Sequence, residues 1–118
     1  MYYRFENLEI WKLAKKFSAD IYKITGKFPK SELFGLTSQL RRAAVSIALN
    51  IAEGSDKKSD PEFKRFLRIS LGSLNETVTG LYISLDLNFI VKSEFDGFYK
   101  DSCLLASKIK SLISSLRL

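Results

Sequence analysis

The sequence contains no histidine, one cysteine and two prolines in 118 residues. Without histidine, the chain cannot use an imidazole as a general base, a nucleophile or a metal ligand. A single cysteine excludes an internal disulfide and a cysteine-based zinc site, and it favours a reducing compartment. The glycine-rich loop that cradles nucleotide phosphates is also missing from the sequence. We therefore predict that the protein is not an enzyme, and we expect no catalytic residue, no metal site and no cofactor.

Long apolar runs are missing as well. The longest uncharged run, 43–52, has ten residues and includes Ser46 and Asn50. A membrane-spanning helix needs about 20 mostly apolar residues, so we expect no membrane partner. The first residues lack the apolar stretch of a signal peptide, so we expect a cytoplasmic protein. No motif identifies a small-molecule substrate.

Four segments instead show the apolar spacing of amphipathic helices. In the first, Ile10, Ala14, Phe17 and Ile21 follow at intervals of four and three residues, as in a coiled-coil seam. We predict helices at about 8–25, 32–53, 61–87 and 94–117. Four such helices joined by short connections favour an all-α, up-down-up-down antiparallel four-helix bundle. The length suits one domain covering residues 1–118.

Capping residues suggest where these helices begin and end. Side chains that can accept hydrogen bonds from free helix N–H groups predict the first turns. Residues that tolerate left-handed backbone predict the last turns. The predicted N-terminal caps are Asn7, Ser31, Asp60 and Ser93, and the predicted left-handed ends are Gly26 and Asn88.

The second predicted helix lacks a polar face. No charge occurs between 43 and 52, and Leu49 lies roughly opposite Ile47 when 100° per residue is counted. A helix that is apolar all round needs cover on every side, and another subunit is the simplest cover. The alternative is that wide apolar stripes are buried within the monomer. We predict a homo-oligomer with an interface that includes Trp11, Tyr22, Val45, Leu49, Ala52, Ile69, Ser73, Gly80 and Ile83.

Positive charge is concentrated in parts of the chain. The formal net charge is +6, and residues 57–68 contain five basic and two acidic side chains. Lysine and arginine replace condensed counterions on phosphates, so a basic surface fits a nucleic acid. The alternative is that the net charge only keeps the protein soluble. The candidate nucleic-acid-binding residues are Arg41, Arg42, Lys57, Lys58, Lys64, Arg65 and Arg68.

Several motifs resemble a known family. The most specific stretch runs from Gln39 to Ile47 as Gln-Leu-Arg-Arg-Ala-Ala-Val-Ser-Ile, and continues from Asn50 to Gly54 as Asn-Ile-Ala-Glu-Gly. It resembles the small bacterial family named for 23S rRNA intervening sequences. Residues 5–12, 28–36 and 63–74 continue the resemblance over nearly the whole chain. Ala48 stands where the family often has proline, which should leave the second helix straighter.

The resemblance implies a four-helix bundle that assembles into a homo-oligomer, with a pentameric ring favoured. It also favours RNA over DNA as a partner, and it carries over no catalytic residue because the family has none established. Accessory proteins of diversity-generating retroelements look similar in architecture. Two functions remain open from the sequence: a non-enzymatic, oligomeric nucleic-acid-binding protein, and a protein-interaction or scaffold module that does not bind nucleic acid.

Overall fold

A computed structural model describes residues 1–117, and Leu118 lies outside the described residues. Four helices make up most of the molecule: α1 Glu9–Thr25, α2 Leu36–Ser55, α3 Asp60–Asp86 and α4 Lys92–Ser115. Two short 3-10 turns, Arg4–Asn7 and Lys30–Glu32, precede α1 and α2. Helices α1 and α3 each contact both α2 and α4. The four helices therefore close into a bundle 43 Å long and 22 Å across, and the predicted all-α four-helix bundle is confirmed.

The core follows the predicted seams. Ile10, Ala14, Phe17 and Ile21 of α1 are buried, and the seams of the other helices meet them along the bundle axis. Two differences occur near the connections. Leu33, which falls within the predicted second helix, is exposed because it lies before α2 begins. Ile90, in the connection before α4, is buried and extends the core.

Helices α2 and α3 approach each other closely through small side chains. The Ser70 hydroxyl donates to the Ile47 carbonyl at 3.0 Å, and the Ser46 and Ser73 hydroxyls lie 2.8 Å apart. Near the end of the bundle away from the α2–α3 turn, Gly80 leaves room for Leu40. Residue numbers fall along one helix as they rise along the other, so the two helices run antiparallel.

The helix ends differ from the predicted caps where local contacts compete. Ser59, not Asp60, precedes α3 and accepts the Glu62 N–H at 3.3 Å. Helix α4 begins one residue before Ser93, and the Glu94 carboxylate accepts the Val91 N–H at 2.9 Å. Ser59 and Asp60 are adjacent short polar residues at the start of α3, so spacing alone does not choose between them.

Three other predicted ends are also corrected. Helix α2 starts at Leu36 rather than near 32, and the Glu32 side chain accepts the Leu36 N–H at 3.2 Å instead of a Ser31 cap. Asn7 lies in the first 3-10 turn and does not cap α1. Gly26 is right-handed, with a φ of −61°, because the turn continues until Phe28 reaches the core. The predicted left-handed Asn88 is confirmed by its φ of 61°.

Candidate nucleic-acid interface

The turn between α2 and α3 places four of the predicted cations at one end of the bundle. Lys57 and Lys58 lie in the connection, and Arg65 and Arg68 lie in the first turns of α3. Lys58, Arg65 and Arg68 are exposed, and Lys57 is half-buried. We name these four residues the basic turn surface.

Phe66 organises two members of the basic turn surface. The Arg65 guanidinium carbon lies 4.6 Å from the centroid of the Phe66 ring, and the Lys57 ammonium nitrogen lies 5.2 Å from it. Both cations are attracted by the negative face of the ring. Glu53 pairs with Lys57 at 3.1 Å and Glu62 pairs with Arg65 at 3.4 Å. The Phe66 ring and these carboxylates together hold the two cations in place.

The other two members carry charge that no described neighbour neutralises. Among residues 1–117, no ion pair joins Lys58 or Arg68 to a carboxylate. Exposed cations without a protein partner are the groups best able to contact phosphate, because binding does not first break an ion pair. Lys58 and Arg68 are therefore the available charges of the basic turn surface.

The structure does not place Lys64 on this surface. Lys64 is only 7% exposed. It precedes the fully buried Leu67 by three residues, so the two side chains share the inward side of α3. The sequence predicts a surface cation at Lys64 because basic residues lie close to it in the chain. Its position on α3, however, directs the side chain away from solvent.

The two arginines of α2 also differ from each other. The Arg41 guanidinium lies 4.6 Å from the Tyr22 ring centroid, and its Nε donates to the Thr25 hydroxyl at 2.9 Å. Its Nη2 donates to the Tyr22 carbonyl at 3.4 Å. Arg41 therefore packs α2 against α1. Arg42 is exposed, and the Ser46–Ser73 register places it roughly 13 Å from Arg68 along the axis.

Sequence reasoning missed one cation at this end of the bundle. Arg4 donates from Nη1 to the Ser55 carbonyl at 3.1 Å, and its guanidinium carbon lies 5.2 Å from the Phe63 ring centroid. Ser55 is the last residue of α2, where free carbonyls attract a cation. The aromatic and basic segment before the first predicted helix was the available signal, because such a segment can pack on the end of a bundle.

Exposed and half-buried apolar side chains lie on α2 and on its neighbours α1 and α3. Leu49 is 63% exposed, and the α3 side chains Ile69 and Ile83 are exposed beside the α2–α3 groove. Tyr22 is exposed on α1, whereas Val45 and Ala52 are half-buried. We name this set the α2 apolar surface; its members are Tyr22, Val45, Leu49, Ala52, Ile69 and Ile83.

Three other residues predicted for an oligomer interface are used within the chain. Ser73 is buried against Ser46. A methyl group on Gly80 would lie 2.6 Å from Leu40 Cδ2, so Gly80 belongs to the packing of α2 on α3. Trp11 is half-buried, and its ring centroid lies 4.8 Å from that of Phe5. The N-terminal segment also lines one cleft with Leu49 and Ala52, so it covers part of the α2 surface.

Among residues 1–117, no three His, Cys, Asp or Glu side chains group closely enough to hold a metal ion. Cys103 is exposed, and the charge of its thiolate raises the pKa of the neighbouring Tyr99. None of the helices formed by residues 1–117 has the length and apolar character needed to cross a membrane.

These features define a small all-α protein, a four-helix bundle with a basic turn and exposed apolar side chains on α1, α2 and α3. The family model of the 23S rRNA-intervening sequence protein matches residues 6–111, and the chain belongs to that family. The resemblance of the sequence motifs is thereby confirmed.

One solved structure and the curated proteins complete the comparison. A crystal structure of a protein with unknown function, from the S23 ribosomal protein family of Bacteroides thetaiotaomicron, superposes with a TM-score of 0.80. The two sequences are 24% identical, and the match covers 90% of this chain and 99% of the other. At this identity the similarity shows the fold alone. No curated protein is significantly similar to this chain.

Proposed function

We propose that the protein is a non-enzymatic, oligomeric RNA-binding protein whose basic turn surface contacts RNA phosphates. The observation that carries the proposal is the gathering of Lys57, Lys58, Arg65 and Arg68 at the α2–α3 turn, with Lys58 and Arg68 outside any described ion pair. The family description names 23S rRNA, which favours RNA over DNA.

Binding at such a surface is electrostatic. Each cation that contacts a phosphate releases a condensed counterion, so affinity depends on salt and little on base sequence. Four cations in one subunit can make only a few phosphate contacts. An oligomer assembled through the α2 apolar surface would present the basic turn surface several times, and many weak contacts made together give tight binding.

The experiment is a filter-binding titration of unrelated structured RNAs at about 50 mM and about 200 mM salt. Replacing Arg65 and Arg68 by Gln should weaken binding to every RNA. Removing two positive charges beside the RNA backbone should also reduce the slope of log affinity against log salt, by at most about 1.5. The double variant should keep the oligomer size of the wild type, because both side chains are exposed and lie outside the α2 apolar surface.

A matched control removes the same charge elsewhere. Lys23 and Lys100 are exposed and lie away from the α2–α3 turn, so their replacement by Gln should change RNA binding much less. Equal losses in the two double variants would mean that net charge, not the basic turn surface, determines binding. If the wild type binds no RNA at about 50 mM salt, the RNA-binding function is wrong.

The exposed apolar side chains favour a second candidate function, a protein-interaction or scaffold module. Leu49 of α2 and Ile69 of α3 are exposed at about the same level of the bundle, and Ile83 is exposed roughly 20 Å further along α3. Exposed apolar side chains that are grouped on one side of a protein mark protein–protein contact sites. A protein that assembles through the α2 apolar surface but binds no RNA would fit this second function.

A further inference from the structure

We propose that the Arg65 guanidinium is a stacking site for an unpaired RNA base, so the basic turn surface selects single-stranded over duplex RNA. The inference rests on the proposed RNA-binding function and names the class of RNA. It concerns the geometry of one arginine rather than the amount of positive charge.

Arg65 is held by two contacts that leave part of it open. The Arg65 guanidinium carbon lies over the Phe66 ring, 4.6 Å from the ring centroid. Glu62 accepts from Nε at 3.4 Å, and the Arg65 side chain is still 58% exposed. The Nη groups make no hydrogen bond among the described contacts, so part of the guanidinium is open to solvent while two neighbours restrict its orientation. A base that stacks there does not have to order a flexible side chain first.

A planar guanidinium can stack on a nucleobase, which a lysine ammonium cannot do. In duplex RNA the bases are already stacked on their neighbours, so the duplex offers mainly phosphates and 2′-hydroxyls. An unpaired strand offers a free base face as well. Lys58 and Arg68 can contact the phosphates on either side of that base, since both are exposed and they come before and after Arg65 along the chain.

Phosphate contacts alone predict the opposite preference. Duplexes carry a higher charge density than single strands, and the salt dependence of cation binding is correspondingly steeper for them. A preference for the single strand therefore requires a contribution from the bases. This makes strand preference a readout that a purely electrostatic surface would not produce.

Two other arginines provide matched controls. Arg41 also lies 4.6 Å from an aromatic ring, that of Tyr22, but its N–H groups are used by Thr25 and the Tyr22 carbonyl, and it is half-buried. Arg68 is exposed on the basic turn surface and has no aromatic ring beneath it among the described contacts. Replacing each arginine by lysine keeps the positive charge and removes the planar guanidinium group.

The test measures fluorescence anisotropy with three probes: an unstructured RNA of about 12 nucleotides, the same RNA annealed to its complement, and inorganic polyphosphate as competitor. The wild type should bind the single strand about five- to tenfold more tightly than the duplex. Arg65→Lys should lose this preference, while competition by polyphosphate stays unchanged. Arg68→Lys and Arg41→Lys should both keep the preference, and Arg41→Lys should lower the thermal unfolding temperature.

The possible failures can be told apart. If the wild type binds duplex as tightly as single strand, or if Arg65→Lys keeps the full preference, the stacking role of Arg65 is wrong and the RNA-binding function stands. A loss of preference in Arg41→Lys instead would move the stacking site to Arg41 on α2 and would also overturn the assignment. If the wild type binds neither RNA at about 50 mM salt, both proposals fail together.

Discussion

Three glycines of α2 and α3 occupy different surroundings, although all lie in right-handed helical backbone. A methyl group on Gly72 would meet nothing within 4 Å. On Gly80 it would lie 2.6 Å from Leu40 Cδ2, the flexible end of a side chain. On Gly54 it would lie 2.7 Å from Phe66 Cβ and 2.9 Å from the Phe63 ring, close to the α3 backbone. The three positions therefore need glycine to different degrees.

Alanine at these positions gives a graded prediction. Gly72→Ala should stabilise the protein by about 0.5–1 kcal/mol, because alanine loses less backbone entropy in a helix. Gly80→Ala should destabilise it, and Gly54→Ala should destabilise it more, within the roughly 1–3 kcal/mol typical of overpacking. Urea unfolding followed by circular dichroism measures all three. A Gly54→Ala variant as stable as the wild type would contradict the close α2–α3 packing.

At the scale of the elements, one charged pair links the start of α4 to the end of α1. The Glu94 carboxylate forms an ion pair with Lys27, just past α1, and accepts the Val91 N–H at 2.9 Å. The hydrogen bond from Lys27, followed by that from Val91, lowers the pKa of Glu94 below its usual 4.5. The ionised form of Glu94 is therefore stabilised in the folded protein.

The lowered pKa predicts a pH dependence. Stability from Glu94 is fully present above its unfolded pKa of 4.5 and is lost as pH falls through the lower folded value. Glu94→Gln should therefore be less stable than the wild type near about pH 7, and the difference should vanish in strong acid. Thermal unfolding from neutral to acid pH measures this. Asp96→Asn, which breaks only the Lys92 pair within α4, is the control and should show a smaller difference.

The elements also show what the sequence could and could not predict. The seam of α1 was predictable because its spacing matches one buried side of a helix, as Ala14 and Ile21 illustrate. The role of Ser73 and Gly80 was not, because small residues suit contact with a neighbouring helix as well as with another subunit. The packing of α2 against Ser73 and Gly80 shows that they contact a neighbouring helix of the same chain. Helix ends were missed for a similar reason, since Ser59 and Asp60 are both good caps in sequence.

For the molecule as a whole, the α2 apolar surface predicts self-assembly. Light scattering after size-exclusion chromatography should give a multiple of 13.5 kDa, and the family resemblance favours five subunits. Leu49→Glu should dissociate the assembly, because a charge at the centre of an apolar contact would be buried without a partner. Helical circular dichroism should stay unchanged, since Leu49 is exposed in the single chain.

Leu104→Glu is the matched control for this experiment. Leu104 is 48% exposed, but it lies on α4, beside α1 and away from the α2 apolar surface. The same charge should therefore leave the assembly intact. A monomeric wild type at micromolar concentration would contradict the predicted oligomer. Dissociation by Leu104→Glu but not by Leu49→Glu would mean that the subunits contact each other through α4 rather than through the α2 apolar surface.

The candidate site was predictable in its charge and not in its geometry. Basic residues clustered around the α2–α3 turn suffice to locate Lys58 and Arg68 at one end of an up-and-down bundle. They do not reveal that Lys64 turns inward or that Arg41 is used by Tyr22. Those outcomes depend on the rotation of each helix about its axis and on which aromatic ring lies close enough to contact the cation. The number and spacing of charges in the sequence give no information on either.

The short turn between α2 and α3 also has a consequence for the order of folding. The Ser46–Ser73 contact spans 27 residues, whereas Arg4 and its acceptor Ser55 are separated by 51. Closing a shorter loop costs less entropy, and local contacts form sooner. As the chain leaves the ribosome, α1 emerges first but has no surface to pack on until α2 is complete. We therefore expect the α1–α2 and α2–α3 contacts, which span 16 and 27 residues, to form before the N-terminal segment docks on Ser55.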